Sequence, residues 1–246
     1  MFFLKKKISE RKLPKKIPTH IAIIMDGNAR WAKAKKLPIT IGHKTGSENV
    51  KKIAENCIEI GVKNLTIYAF SSENWDRPQS EVEYLMKLLD DYLEKETKPL
   101  IEKDVRIIIS GNLTKLSAAT KTRIQSLQDL TKNNQALTLN VAFSYGARQE
   151  IVNAAKKISL AVSEGKISLH ELDEKLFAQN LYQPQIPDPD LLIRTAGDLR
   201  LSNFLLWQLA YSELYFTEVF WPDFSKHHLL EAINEFNKRE RRYGKR

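Results

Sequence analysis

Apolar runs and helical patterns alternate along this chain. His20–Met25 (HIAIIM) and Asn64–Phe70 (NLTIYAF) are short and nearly continuous in apolar character, as strands buried on both faces are. Val105–Ser110, Leu137–Phe143 and Asp190–Arg194 predict three more strands, and Leu214–Phe216 a sixth. Between them the period changes. Val50, Ile53, Ala54, Cys57 and Ile58 recur at helical spacing, and Val82, Leu85, Met86, Leu89 and Leu93 share one helix face. Further helices are expected over about 115–132, 147–164 and 226–242. Such alternation predicts an α/β fold: a single domain with a central, mostly parallel sheet of about six strands, covered by helices on both faces. No Gly/Ser-rich linker or internal repeat divides the chain, and the proline-rich stretch from Gln183 to Pro189 reads as a rigid loop.

Composition changes this picture little, but charge sharpens it. The formal net charge of +9 would suit a nucleic-acid binder if it were spread over the domain. It is not. Residues 1–18 hold seven Lys/Arg and one Glu, and residues 237–246 hold six and one. The intervening body is slightly acidic, with 26 basic and 28 acidic residues. We therefore read 1–18 as a basic N-terminal tail and 19–246 as one folded domain, and expect no nucleic acid partner. Cys57 is the single cysteine, so no intrachain disulfide forms and a cytoplasmic setting is expected. No apolar run reaches the roughly 18 residues of a membrane span, and Lys5–Lys7 interrupt the start before any signal-type apolar region.

The polar clusters fall at the carboxyl ends of the expected strands, where open parallel sheets bind ligands. After the first strand comes Met25-Asp26-Gly27-Asn28-Ala29-Arg30-Trp31. Gly27 allows a tight turn, Asn28 can cap the next helix, and that helix start suits a diphosphate. Arg30 would add a bidentate phosphate contact, and Asp26 beside phosphates is best placed as a Mg²⁺ ligand. An Asp-Gly turn with an ordinary cap explains the same residues if they are taken alone. After the second strand stands Ser71-Ser72-Glu73-Asn74-Trp75-Asp76-Arg77-Pro78, too polar and too varied for a routine loop. Ile193-Arg194-Thr195-Ala196-Gly197-Asp198-Leu199-Arg200-Leu201-Ser202 offers a second anion site, and Glu213 lies within an aromatic and aliphatic stretch.

Together these segments resemble the signature regions of the cis-prenyltransferases, most nearly the bacterial undecaprenyl diphosphate synthases. The likeness runs from about His20 to Gly244, through IMDGNARWA, YAFSSENWDRP, SNFLLWQLAYSELYF and RERRYG. It implies condensation of isopentenyl diphosphate onto farnesyl diphosphate with cis double bonds. The implied product is a long polyprenyl, undecaprenyl-type diphosphate serving as cell-wall lipid carrier. By the same resemblance Asp26 and Asn74 are the catalytic residues, and Asp26 and Glu213 the ligands of Mg²⁺. Gly27, Asn28, Ala29, Arg30, Trp31 and His43 would surround the allylic diphosphate. Ser71, Ser72, Glu73, Trp75 and Arg77 would line the substrate region, and Arg194, Arg200, Leu201 and Ser202 would hold isopentenyl diphosphate. A hydrophobic tunnel, a homodimer completed by Arg242-Tyr243-Gly244, and transient peripheral contact with the inner face of the plasma membrane are also implied.

Two departures bear on substrate binding. Ile39 stands where the family usually has an arginine, and Asp198-Leu199 where it has Glu and a polar residue. One of Lys35, Lys36 and Lys44 is expected to take over part of the missing guanidinium's role. Asp90-Asp91 is the nearest approach to the aspartate-rich motif of trans-prenyltransferases, but it sits on an amphipathic helix and reads as a solvated face. The alternative to an enzyme is a non-catalytic partner subunit of the same family. The retention of Asp26, Arg30, Asn74, Arg194, Arg200 and Glu213 argues against it.

Overall fold

A computed structural model describes residues 14–239. The tail up to residue 13 and the Arg242-Tyr243-Gly244 motif lie outside the described residues. Six strands form one sheet: β1 (His20–Ile24), β2 (Asn64–Ser71), β3 (Val105–Ser110), β4 (Leu137–Tyr145), β5 (Leu191–Arg194) and β6 (Glu213–Phe216). Their order is β3-β4-β2-β1-β5-β6, and every pairing is parallel. All six expected strands are present, within two residues at each end.

Among the described residues eight helices cover the sheet: α1 (Asn28–Ala34), α2 (Ile39–Ile60), α3 (Gln79–Asp91), α4 (Thr97–Glu102), α5 (Ala118–Thr131), α6 (Ala147–Ser163), α7 (Glu174–Gln179) and α8 (Lys226–Lys238). The short α4 and α7 escape periodicity arguments because six residues hold under two turns. Between α3 and α4 the helix widens into a π-turn over Tyr92–Glu96. Asp90 accepts bonds from Thr120 and Arg123 on α5, which fastens two helices, and Asp91 pairs with Lys95 one turn on.

Strand residues alternate between two cores. Ile21, Ile23, Leu65 and Ile67 face one, with Val50, Ile53 and Leu89 of α2 and α3. Ala22, Ile24, Tyr68 and Ala142 face the other, with Phe204, Leu205 and Leu209. Cys57 is fully buried, which pushes its thiol up to about 12. The chain leaves β1 toward β2 on one side and returns through β5 on the other. Ligands bind at such a switch point.

A buried polar ladder crosses four strands, from the first residue of β1 to the last of β3. Ser110 donates to Asn140 (2.8 Å), Asn140 donates to Thr66 (3.3 Å), and Thr66 meets His20 Nε2 (2.8 Å). His20 Nδ1 lies 2.5 Å from the Pro187 carbonyl, which can only accept, so Nδ1 carries the proton and Nε2 receives the Thr66 hydroxyl. Burial pushes the His20 pKa down from 6.5 to about 4, against the opposing effects of the Pro187 carbonyl and Asp190. The unfolded chain therefore binds this proton first. The associated stability is complete above pH 6.5 and is lost as the pH falls toward 4. At pH 5 the loss is about 2 kcal/mol. Urea titrations of the wild type at pH 7.5 and 5.0, set against His20→Gln, should show that excess pH dependence. Equal slopes in the two proteins would refute it.

Candidate active site

The parallel β1–β5 pairing sets Arg194 beside Ile24, two residues before Asp26. Arg194 is only 3% exposed. Its guanidinium donates to Asp26 Oδ2 (2.9 Å), to Ser202 Oγ (2.8 Å) and to the Arg200 carbonyl. Thr195 donates to the Asp26 carbonyl (2.7 Å), locking the backbone of both strand ends together. Asp26 Oδ1 accepts from the Gly27 amide (2.6 Å). Gly27 has φ +102°, and a Cβ there would lie 2.7 Å from Phe220 and 2.8 Å from Ala196, so no other residue fits.

Arg30 reaches back from α1 to Asp26 Oδ2 (3.2 Å), Asp198 Oδ2 (3.1 Å) and the Ala196 carbonyl (2.9 Å). Arg200 closes on Asp198 at 2.9 Å. Three guanidiniums thus converge on two carboxylates. Desolvation would raise the Asp198 pKa, but the Arg200 and Arg30 charges outweigh it and hold the carboxyl below its usual range. The loop that carries Ser202 has left-handed backbone at Ser202, Asn203 and Leu205. Non-glycine residues in that region are uncommon and concentrate at binding sites.

The segment after β2 forms the opposite wall. A 3₁₀ turn over Ser72–Asp76 begins as the Ser71 amide donates to Asn74 Oδ1 (3.0 Å). Trp75 donates to Ser144 Oγ (2.8 Å) and packs edge-on against Phe70, pinning this turn to the end of β4. Glu73 accepts from Asn203 (2.8 Å). Desolvation opposes its ionisation, yet bonds from Asn203 and the Ser71 and Ser72 hydroxyls hold its pKa below the usual value. Arg77 pairs with Glu81 (2.8 Å), which also faces His43 Nε2 (3.4 Å). Burial lowers the His43 pKa despite Glu81, so the ring is neutral near pH 7.

A polar cavity of about 460 Å³ results. Of the sequence-predicted residues it gathers Asp26, Asn28, His43, Ser71, Glu73, Asn74, Arg77, Arg194 and Ser202. A narrow apolar cavity of about 100 Å³ adjoins it between α2 and α3, and Met25, Asn28, His43, Ala69 and Leu85 line both. Val50, Leu88, Leu89 and Val141 continue the apolar wall. Neither cavity has the length of a tunnel for a polyprenyl chain.

Other expected residues lie elsewhere. Asn28 is not the cap of α1. Gly27 holds that position, and the Asn28 Oδ1 is buried without a partner at the junction of the cavities. Trp31 is buried, with Lys35 over its ring at 4.2 Å. Ala29 is exposed, Ser72 abuts Gly146, and Leu201 packs against the second core. None of the three candidate lysines lines the polar cavity, and Lys35 is further engaged by Asp223 (3.5 Å).

Glu213 pairs with Arg239 (2.9 Å) and aligns with Leu191, at the start of β6. Strand geometry puts it roughly 10 Å below the site and roughly 10 Å across from β1. One chain does not bring Asp26 and Glu213 to one metal. Among the described residues no three His, Cys, Asp or Glu lie together as ligands. Asp26 alone still fits Mg²⁺, which takes few protein carboxylates and completes its shell with water and phosphate oxygens.

The sequence reading missed Tyr68, Asn203 and Glu150. Tyr68 donates to the carbonyls of Tyr145 (3.1 Å) and Ser202 (3.3 Å). Asn203 receives the Arg148 amide (2.9 Å) while holding Glu73, so it joins α6 to both walls. The adjacent polar pair Ser202-Asn203 was the available signal.

The prenyltransferase family described as undecaprenyl diphosphate synthase matches residues 24–244. An isoprenyl transferase of Fusobacterium nucleatum is 49% identical over 94% of this chain and 98% of its own. A ditrans,polycis-undecaprenyl-diphosphate synthase of Legionella pneumophila, described as (2E,6E)-farnesyl-diphosphate specific, is 48% identical over 93% and 96%. Among solved structures, lavandulyl diphosphate synthase from Lavandula x intermedia in complex with dimethylallyl diphosphate superimposes with a TM-score of 0.90. It is 38% identical, covering 93% of this chain and 98% of that one. A probable undecaprenyl diphosphate synthase from Campylobacter jejuni gives 0.77 at 37% identity, over 94% and 100%.

Proposed function

The chain belongs to the undecaprenyl diphosphate synthase family of prenyltransferases, and on that premise we propose that it lengthens farnesyl diphosphate with isopentenyl diphosphate in successive cis condensations. The product is a long polyprenyl diphosphate, of undecaprenyl type, that serves as a cell-wall lipid carrier. The carrying observation is the juxtaposition of a polar cavity lined by Arg194 and Arg77 with an apolar cavity that shares its wall. A diphosphate with a hydrocarbon tail needs both environments within one molecule's length. The dimethylallyl diphosphate bound by the lavandulyl enzyme supports an allylic diphosphate as the class of ligand.

The allylic C1–O bond breaks, the isopentenyl double bond attacks C1, and a proton leaves the isopentenyl C2 to give the new double bond. Arg30 and the amides that open α1 neutralise charge growing on the departing diphosphate. Mg²⁺, held by Asp26 and substrate oxygens, would supply further charge stabilisation there. Arg194, Arg200 and Ser202 bind the isopentenyl diphosphate, which must compete with Asp198 for the arginines. Asn74 is a neutral amide whose oxygen already accepts the Ser71 amide, so it positions the reactants while a diphosphate oxygen takes the proton. The apolar cavity must widen as the chain grows, by separation of α3 from α2.

The assembly we propose is a homodimer. It is supported by β6, an edge strand half-buried along its length, and by exposed Leu199, Leu206 and Tyr211 in the segment that precedes it in the chain. A role for Glu213 then depends on the assembly rather than on the protomer. No helix among the described residues is long and apolar enough to cross a membrane. We place the enzyme in the cytoplasm with peripheral contact at the inner face of the plasma membrane.

Incorporation of radiolabelled isopentenyl diphosphate into farnesyl diphosphate, with and without Mg²⁺ and with products resolved by length, tests this reading. Mg²⁺-dependent products of undecaprenyl length are expected. A folded protein that makes none would belong with the non-catalytic subunits.

A further inference from the structure

The corner between α1 and α2 leaves Leu37, Ile39 and Ile41 at 40%, 48% and 40% exposure, three large aliphatic side chains within five residues. Hydrogen bonds fix the corner. The Leu37 amide donates to the Ala32 carbonyl, the Ile41 amide to Pro38, and Tyr84 of α3 to the Thr40 carbonyl (3.0 Å). The exposure therefore belongs to an ordered backbone.

Charge singles out the same corner. From Gly27 to Ser47 there is no Asp or Glu, whereas Arg30, Lys33, Lys35, Lys36 and Lys44 fall within that span, in a body that is otherwise slightly acidic. Asp223 answers Lys35 from outside it, but Lys33, Lys36 and Lys44 are exposed around the three aliphatics. Apolar side chains ringed by lysines match the boundary of a bilayer that carries anionic headgroups.

Position supplies the reason for such a surface. α2 begins at Ile39, and His43, one turn further on, lines both cavities. The aliphatic corner thus lies one helical turn from a residue that lines both cavities. By contrast, the described start of the basic tail lies at the other end of the sheet, where Lys16 is bonded to Asn237 and Thr19 to Asp190.

We propose that Leu37, Ile39 and Ile41, with Lys33, Lys36 and Lys44, form a docking foot for an anionic membrane surface, so that the apolar product leaves the site directly into the bilayer. The proposal rests on the prenyl-transfer reading for its purpose, but its test does not use turnover. The full-length protein is sedimented with vesicles of phosphatidylglycerol and phosphatidylcholine, and with phosphatidylcholine alone. Binding to the anionic vesicles is expected to exceed that to the neutral ones. It should fall at least about tenfold in Leu37→Ser/Ile39→Ser/Ile41→Ser, and about thirtyfold in Lys33→Gln/Lys36→Gln, with thermal unfolding unchanged. Loss of binding on deletion of residues 2–12 alone would assign the contact to the tail and overturn the proposal. So would equal binding by wild type and the aliphatic variant, or a wild-type protein that ignores anionic vesicles. If the aliphatic variant instead changes the oligomeric mass, the patch is covered by a second copy and the docking foot is refuted. An inactive enzyme that still docks through these residues would count only against the prenyl-transfer reading.

Discussion

Asp26→Ala is expected to lower kcat about a thousandfold, the upper range for removal of one preorganised electrostatic group at a reacting centre. Asp26 is the point on which the site closes. It orients Arg194 from one side, receives Arg30 from the other, and fixes the turn by accepting from the Gly27 amide. It is also the carboxylate best suited to Mg²⁺ in this cavity. Alanine removes all of these at once. It also leaves a nearly buried Arg194 short of a partner, when its Nε has none already. Asp26→Asn separates the two roles. The single amide oxygen can keep the Gly27 contact but its NH2 then faces Arg194, so thermal stability should fall between wild type and alanine while activity falls nearly as far as in the alanine variant. More than a tenth of wild-type turnover in Asp26→Ala would remove Asp26 from the mechanism.

Most of the sheet was legible because its strands are short and apolar, and because helical periodicity separates them. Seven of the eight residues in β2 were assigned from NLTIYAF alone. The half-buried β6 was the weakest of the six, since an edge strand does not need a continuous apolar run. Residues of the polar cavity were legible where they cluster in sequence at strand ends. What sequence could not give was which side chains are spent on structure. Trp31, Trp75 and Leu201 stand among substrate-binding neighbours, yet in the ligand-free chain they pack or pin. Asp198 read as a minor departure, and only the fold shows it at the centre of three arginines. Glu213 fails to reach Asp26 because strand order puts β5 between them, and strand order is not written in local pattern.

Glu150 shows how a residue with no sequence signal can hold the site from behind, and Glu150→Ala is expected to cost about 4 kcal/mol of stability. The residue is 2% exposed. Its carboxylate accepts from the Tyr145 hydroxyl (2.5 Å), the Tyr182 amide (2.8 Å) and Gln208 Nε2 (3.2 Å). Truncation strands one buried and two part-buried donors, each worth about 1–3 kcal/mol when left unsatisfied and less where water can reach it. For a chain of this size that corresponds to a fall in Tm of about 8–16 °C. The same carboxylate ties α6 to the segment after Ser202, whose left-handed residues are the ones most in need of external support. Loss of the tie should therefore raise KM for isopentenyl diphosphate more than for the allylic substrate, because Ser202 and Arg200 immediately precede that segment while Arg30 is remote from it in sequence. Glu150→Gln, which keeps one acceptor, should fall between wild type and alanine in Tm. A Tm drop with both KM values unchanged would confine Glu150 to stability. An unchanged Tm would mean that the three donors find other partners and that the network does not hold the loop.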